Sequence, residues 1–247
     1  MEGHIRIRLS EEELAAACLL AGPGRHALLD DADGRAALAG LERLGALSEG
    51  RLTGAAAEIV PAVVAPRVRV AIDCLTREGE VSYRVWAGEA GGVLGRVLDT
   101  GAYDLTRLPP LELPAVLTTA ISLRPRPEVS PATPIALAAG LLETLVELVD
   151  GGRREEAAGE LARAGLGGDP GERLLALVAG RRISWHAAST WTEADGAVVG
   201  EALSGMDGGD GGGLWLVEPD GAGTLTLTPT SAETVAERLY CLLLRPP

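Results

Sequence analysis

The 247-residue chain carries 22 basic residues, all arginine, against 35 acidic ones, for a formal net charge of −13, and 47% of it is hydrophobic. That apolar share excludes disorder as the default, and the acidity disfavours polyphosphate partners unless a local basic patch exists. With four tryptophans, three tyrosines and no phenylalanine, any core must be filled by Leu, Val and Ala, in one large domain or two small ones.

No apolar stretch reaches about 18 residues before Glu, Arg, Gly or Pro interrupts it. Glu11, Glu12 and Glu13 stand where a signal peptide needs an apolar run, so the expectation is a cytoplasmic protein without a membrane segment. Cys18, Cys74 and Cys241 are odd in number, far apart and flanked by apolar residues, which predicts buried thiols rather than disulfides or a metal site.

Taken in chain order, His4 to Leu9 alternates as a half-buried strand does, and Ser10 with Glu13 forms a capping box for the helix that follows. Asp33 can cap a second helix through Leu44, and Gly54 to Ala65 forms a third, bent or divided at Pro61. An antiparallel meander is predicted over Arg67 to Leu75, Glu80 to Trp86, Val93 to Leu98 and Tyr103 to Leu108, with a helix from about Glu112 to Leu123. Residues 124–134 hold four prolines and read as a connector.

Three helices follow, Ile135 to Asp150, Arg153 to Ala164 and Pro170 to Ala179. A second meander covers Arg182 to Thr190, Gly196 to Leu203, Gly213 to Glu218 and Gly223 to Thr228, and a last helix, capped by Thr230 and Glu233, runs from Ser231 to Leu244. Helices, four strands and a helix thus occur twice. Leu105 to Pro109 aligns with Leu225 to Pro229, and Leu123-Arg124-Pro125 with Leu244-Arg245-Pro246, at nearly equal offsets. The fold class expected is α+β, a pseudo-twofold repeat of two halves, each an antiparallel β-meander with flanking helices. The halves are 1–127 and 134–247, joined by connector 124–134 into one structural unit.

The chemistry-bearing motifs mostly fail. His4, His26 and His186 are not at ligand spacing, and Asp30-Asp31-Ala32-Asp33-Gly34 lacks both ends of a calcium loop, so neither metal nor cofactor is expected. Gly22-Pro23-Gly24-Arg25-His26-Ala27 follows a helix instead of a strand, and Pro23 has no N–H for a phosphate. Ser184 and His186 share one face of a strand, which keeps a small-molecule hydrolase as an alternative. The helix, helix, hairpin order from Arg35 to Trp86 suggests a winged-helix regulator, but Gly54 to Ala65 offers no Arg to DNA, so no nucleic-acid partner is expected. What remains for partner binding is the hairpin around Arg77 and Glu78, with Tyr83 and Trp86, and a long flexible glycine-rich loop, 204–213, holding Met206 and leading to Trp215.

The layout resembles the EspG family, chaperones associated with type VII (ESX) secretion. The likeness rests on the opening Leu9-Ser10-Glu-Glu-Glu-Leu14, on Leu41 to Leu52 before a helix and the first sheet, and on Gly213 to Pro219 followed by Thr228 to Val235 and a Leu-rich helix. It departs at Leu44-Gly45, where the family often carries Arg-Gly, and at the glycine-rich 208–213. The resemblance implies a non-enzymatic cytosolic chaperone that holds the tip of a helical-hairpin secretion substrate of PE/PPE or WXG-like type.

Overall fold

In the computed structural model, which describes residues 4–22, 29, 31–130 and 133–244, the chain begins as a short strand, β1 (Arg6–Leu9), with Leu9 fully buried. Ser10 then caps α1 (Glu11–Ala21): its hydroxyl accepts from the Glu13 N–H at 3.1 Å, and the Glu13 carboxylate accepts from the Ser10 N–H at 2.9 Å. Such a cap is worth about 1 kcal/mol. Asp31, rather than Asp33, caps α2 (Ala32–Arg43), accepting from the Gly34 N–H at 2.7 Å. A small hairpin, β2 (Leu47–Ser48) and β3 (Arg51–Leu52), turns at Glu49 and Gly50, both at positive φ as a tight two-residue turn requires. Helix α3 (Gly54–Val64) continues through Pro61 without dividing.

The first meander is β4 (Val68–Thr76), β5 (Gly79–Gly88), β6 (Gly91–Val97) and β7 (Tyr103–Leu108), then a 3-10 turn at Pro110–Glu112 and α4 (Leu113–Ala120). Beyond the connector, the expected helix from Ile135 splits into a strand, β8 (Ile135–Ala138), and α5 (Ala139–Asp150). The rest comprises α6 (Arg154–Arg163), α7 (Asp169–Gly180), β9 (Ile183–Thr192), β10 (Val198–Asp207), a single helical turn α8 (Gly209–Gly212), β11 (Leu214–Pro219), β12 (Thr224–Thr230) and α9 (Ala232–Leu244). Ser231, not Thr230, supplies the α9 cap, accepting from the Thr234 N–H at 3.1 Å.

All the long strands join one antiparallel sheet, ordered β1-β7-β6-β5-β4-β9-β10-β11-β12-β8. Each half contributes five strands, and the order read inward is the same from either edge. The halves meet where β4 pairs with β9, from Val68 opposite Trp191 to Thr76 opposite Ile183. The fold is α+β. Of the Leu244-Arg245-Pro246 triplet, the last two residues lie outside the described residues, as do most of the Gly22 to Ala27 segment and residues 131 and 132 of the connector.

Three apolar clusters hold the helices to the sheet. Helices α4 and α9 cover one face at the centre, over Val68, Val70, Ile72, Val85, Trp185 and Ala187. On the other face, α1 to α3 cover the β1 edge around Leu9, Leu41, Ile59, Val93 and Leu105, and α5 to α7 cover the β8 edge around Leu145, Leu161, Leu174, Trp215 and Leu227. Each fully buried Leu or Ile stabilises the fold by about 1.5–3 kcal/mol relative to exposure.

The connector is fastened instead of loose. Arg126, with its side chain 7% exposed, grips Asp207 through two bonds of 2.9 and 2.7 Å and reaches Asp210 at 2.9 Å. Two opposite charges this well matched offset the cost of leaving water, whereas either one alone would not.

The expectation of a mobile loop over 204–213 is corrected. Residues 204–207 are strand, and three of the glycines after them are packed tightly: a Cβ on Gly208 or Gly212 would fall within 3.0 Å of Leu177 or the backbone around it, and one on Gly213 would strike Val129 of the connector. Here glycine provides close approach, not mobility.

Candidate functional site: the open face of the central strands

Alternation sends successive residues of a strand to opposite faces. In β4 the even-numbered residues Val68 to Cys74 enter the core under α4 and α9, while Arg69, Ala71, Asp73 and Leu75 face the other way. In β9, Ile183, Trp185, Ala187 and Ser189 are buried, and Ser184, His186, Ala188 and Thr190 face the other way. Because the two outer helix clusters stop short of the centre, strands β5, β4, β9 and β10 leave an open floor about 14 Å across.

Register arranges that floor in rows. Glu80, Leu75 and Ser184 lie side by side at the end near the β4–β5 turn. Next come Ser82, Asp73, His186 and Ser204, then Arg84, Ala71, Ala188 and Ala202, then Trp86, Arg69, Thr190 and Gly200. Three alanines abreast make a flat apolar strip bordered by polar rows. A shallow concavity of about 320 Å³ is lined by Asp73, Leu75, Glu80, Ser82, Ser184 and His186.

The polar row is held by its own bonds. Asp73 accepts from the Ser82 hydroxyl at 2.7 Å and the Arg84 guanidinium at 2.9 Å, and His186 Nδ1 shares a 2.8 Å bond with the Ser204 hydroxyl. Partial burial pushes the Asp73 carboxyl up, but the bonds from Ser82 and Arg84 and the charges of Arg84 and His186 outweigh it and hold the group below its usual range. These bonds fix the side chains of the row relative to one another.

Sequence reasoning missed most of this surface. Asp73, Ala71, Ala188, Ala202 and Ser204 carry no motif, and the available signal was the run of small or polar residues at every second position of both β4 and β9.

The six residues expected to bind a partner do not form one site. Arg77 and Glu78 are exposed at the tip of the β4–β5 hairpin, on the rim of the floor, where Arg77 donates to the Ala179 carbonyl at 3.0 Å. Tyr83 packs under α4 and α9 on the opposite face. Trp86 is half-buried against the α1–α3 cluster, its ring 6.4 Å from that of Tyr103. Met206 and Trp215 are cross-strand neighbours in the interior, 4% and 1% exposed; the Trp215 ring nitrogen donates to the Gly212 carbonyl, and Arg173 stacks 5.9 Å above the ring. No partner reaches those two without lifting the helices above them.

Ser184 and His186 do line one concavity, but the histidine bonds Ser204. The sequence Asp73, His186, Ser204 across three strands has the residue types of a hydrolytic triad, but the backbone around Ser204 has no N–H aimed at an oxyanion above it. Ser204 lies on β10 between β9 and β11, so the N–H groups around it belong to the ladders and lie in the plane of the sheet. The winged-helix expectation is corrected as well: α3 buries Ala56, Ile59, Val60 and Val63, and the hairpin after it is the middle of the sheet.

Of the thiols, Cys74 is buried, bonded to the Ala120 carbonyl at 3.6 Å and pushed up to about 11 chiefly by that burial. Cys18 is half-buried and Cys241 is exposed, contrary to expectation, because position 241 falls on the solvent side of α9. Among the described residues there is no group of three or more His, Cys, Asp or Glu that could hold a metal ion, and no helix is long and apolar enough to cross a membrane.

No family model matches the chain, and no curated protein matches it by sequence. Among solved structures, it matches a chain in the structure of the Mycobacterium tuberculosis type VII secretion system chaperone EspG5 in complex with the PE25–PPE41 dimer. The TM-score is 0.62 at 12% sequence identity, over 98% of this chain and 97% of that one. From end to end, therefore, this protein is similar in fold to a type VII secretion chaperone of the EspG kind.

Proposed function

We propose that this protein is a cytoplasmic, non-enzymatic chaperone or adaptor that recognises helical-hairpin substrates of a type VII secretion system, of PE/PPE or WXG-like type. The observation that carries the reading is the end-to-end likeness in fold to a chaperone solved together with its protein dimer. The open face supports it on independent physical grounds. An α-helix is about 10–12 Å in diameter, so a floor about 14 Å wide between two helix clusters takes one helix end from the tip of a helical hairpin. The alanine strip would receive its apolar residues, and the bordering polar rows and the Arg77-Glu78 rim would meet its polar ones. We read the halves 1–127 and 134–247 as one working unit, because the floor takes two strands from each.

Co-expression with a panel of helical-hairpin proteins of this class, followed by affinity purification, is the test. At least one is expected to co-purify, and Ala188→Arg, which plants a charge in the alanine strip, is expected to weaken that complex about tenfold or more, or about 1.4 kcal/mol. If none of the panel binds, the chaperone reading fails. If the complex forms and the Arg variant binds equally well, the open face is the wrong surface.

A further inference from the structure

Helices α4 and α9 lie together on the covered face and run antiparallel, since the start of α4 and the end of α9 border the same groove. At the opposite end of this pair, the chain leaving α4 crosses the edge of the sheet over the β10–β11 connection. Leu123 packs into the core beneath the two helices, Arg126 is locked onto Asp207 and Asp210, and Val129 reaches the α5–α7 cluster on the other face. Residues 123–129 are thus an extended, proline-bearing strap.

In the strand order, β5 and β10 are each second from the centre of the sheet, so the β5–β6 turn is the counterpart of the β10–β11 connection. A groove of about 310 Å³ opens beside that turn, between Glu89, Pro110, Leu111, Pro114, Tyr240 and Leu244. Leu111 is 93% exposed, Leu244 54% and Tyr240 42%, which is half of the large hydrophobic side chains left exposed among the described residues. Glu89, with its side chain 89% exposed, is paired loosely with the Arg67 guanidinium, at 3.9 Å.

We propose that this groove binds an extended, proline-rich segment of a partner protein that carries an arginine, laid over the β5–β6 turn as residues 123–129 are laid over the β10–β11 connection. Proline-rich segments arrive already extended and dock on grooves walled by aromatic and proline rings, which Tyr240, Pro110 and Pro114 provide. The arginine pairs with Glu89 as Arg126 pairs with Asp210, and Leu111 and Leu244 cover apolar side chains on either side of it. This site is on a different surface from the open floor and does not depend on the chaperone role.

The probe is a synthetic, dye-labelled peptide with the sequence of residues 122–130, Ser-Leu-Arg-Pro-Arg-Pro-Glu-Val-Ser, titrated against the intact protein by fluorescence polarisation. Saturable binding is expected, weakened about tenfold or more by Glu89→Arg, by Leu111→Asp, and by exchanging the peptide's arginines for glutamates. Both protein variants change exposed side chains, so an unchanged melting temperature will show that the fold is intact. The proposal is overturned if the peptide does not saturate by about 1 mM, or if it binds both variants as it binds the native chain. It is equally overturned if binding emerges only when residues 245–247 are removed, because the chain's own end would then be the occupant.

Discussion

The four central strands share one backbone and present two unlike surfaces. On the covered face, Val68, Val70, Ile72, Trp185 and Ala187 interlock with α4 and α9; on the open face, alanines and short polar residues lie in hydrogen-bonded rows. The first surface stabilises the molecule by removing apolar area from water, and the second contributes little beyond its own bonds. Core and open floor are therefore separated by the parity of a residue's number. In β4 even positions hold the fold and odd ones meet the solvent; in β9 the assignment is reversed.

The sharpest break is expected where the chain passes from one face to the other. Arg126→Ala strands Asp207 in the interior and should cost about 3–5 kcal/mol in a denaturant melt, whereas Arg126→Met combined with Asp207→Leu should recover part of that loss. Next, Leu239→Ala, which empties a fully buried site in α9 above the covered face, should cost about 2–5 kcal/mol. On the open face, Asp73→Asn should cost less than about 1 kcal/mol, because the carboxylate is half exposed and solvent screens it.

That last effect carries a pH signature. The folded carboxyl lies below its unfolded value of about 3.9, so its contribution is present above that pH and fades as the pH falls through the folded value. Melts of native and Asp73→Asn protein should differ at neutral pH and converge as acid protonates the carboxyl; a difference that does not change with pH would detach Asp73 from the row. Ala188→Arg should alter stability least, by roughly 0.5 kcal/mol or less, while having the largest effect on partner capture. Should it unfold the protein instead, the two faces are not separable and the comparison collapses.

Much of the scaffold was legible in the sequence. Period-two alternation located all eight meander strands, and the Ser10–Glu13 box placed the first helix start. Strand β8 escaped because Ile135–Ala138 runs straight into the apolar start of α5, where neither period dominates. The glycines at 208–213 were misread because the missing side chain that permits mobility also permits tight packing, and only the neighbours, here Leu177 and Val129, decide which. Tyr83 and Trp86 were grouped by nearness in sequence, although an offset of three in a strand puts them on opposite faces. The open floor stayed hidden for a different reason: it exists only because β4 meets β9, and no local pattern announces a pairing between segments so far apart.

That pairing also sets a timetable for the newborn chain. When β4 leaves the ribosome, the edge that will face β9 has no neighbour, and its partner is not made until residues 183–191 emerge more than a hundred residues later. At a synthesis rate of about 5–20 residues per second, the edge stands open for roughly 5–20 seconds, ready to pair with any passing strand. A protein proposed to shield others thus begins its own life with an unguarded strand at the centre of its future sheet.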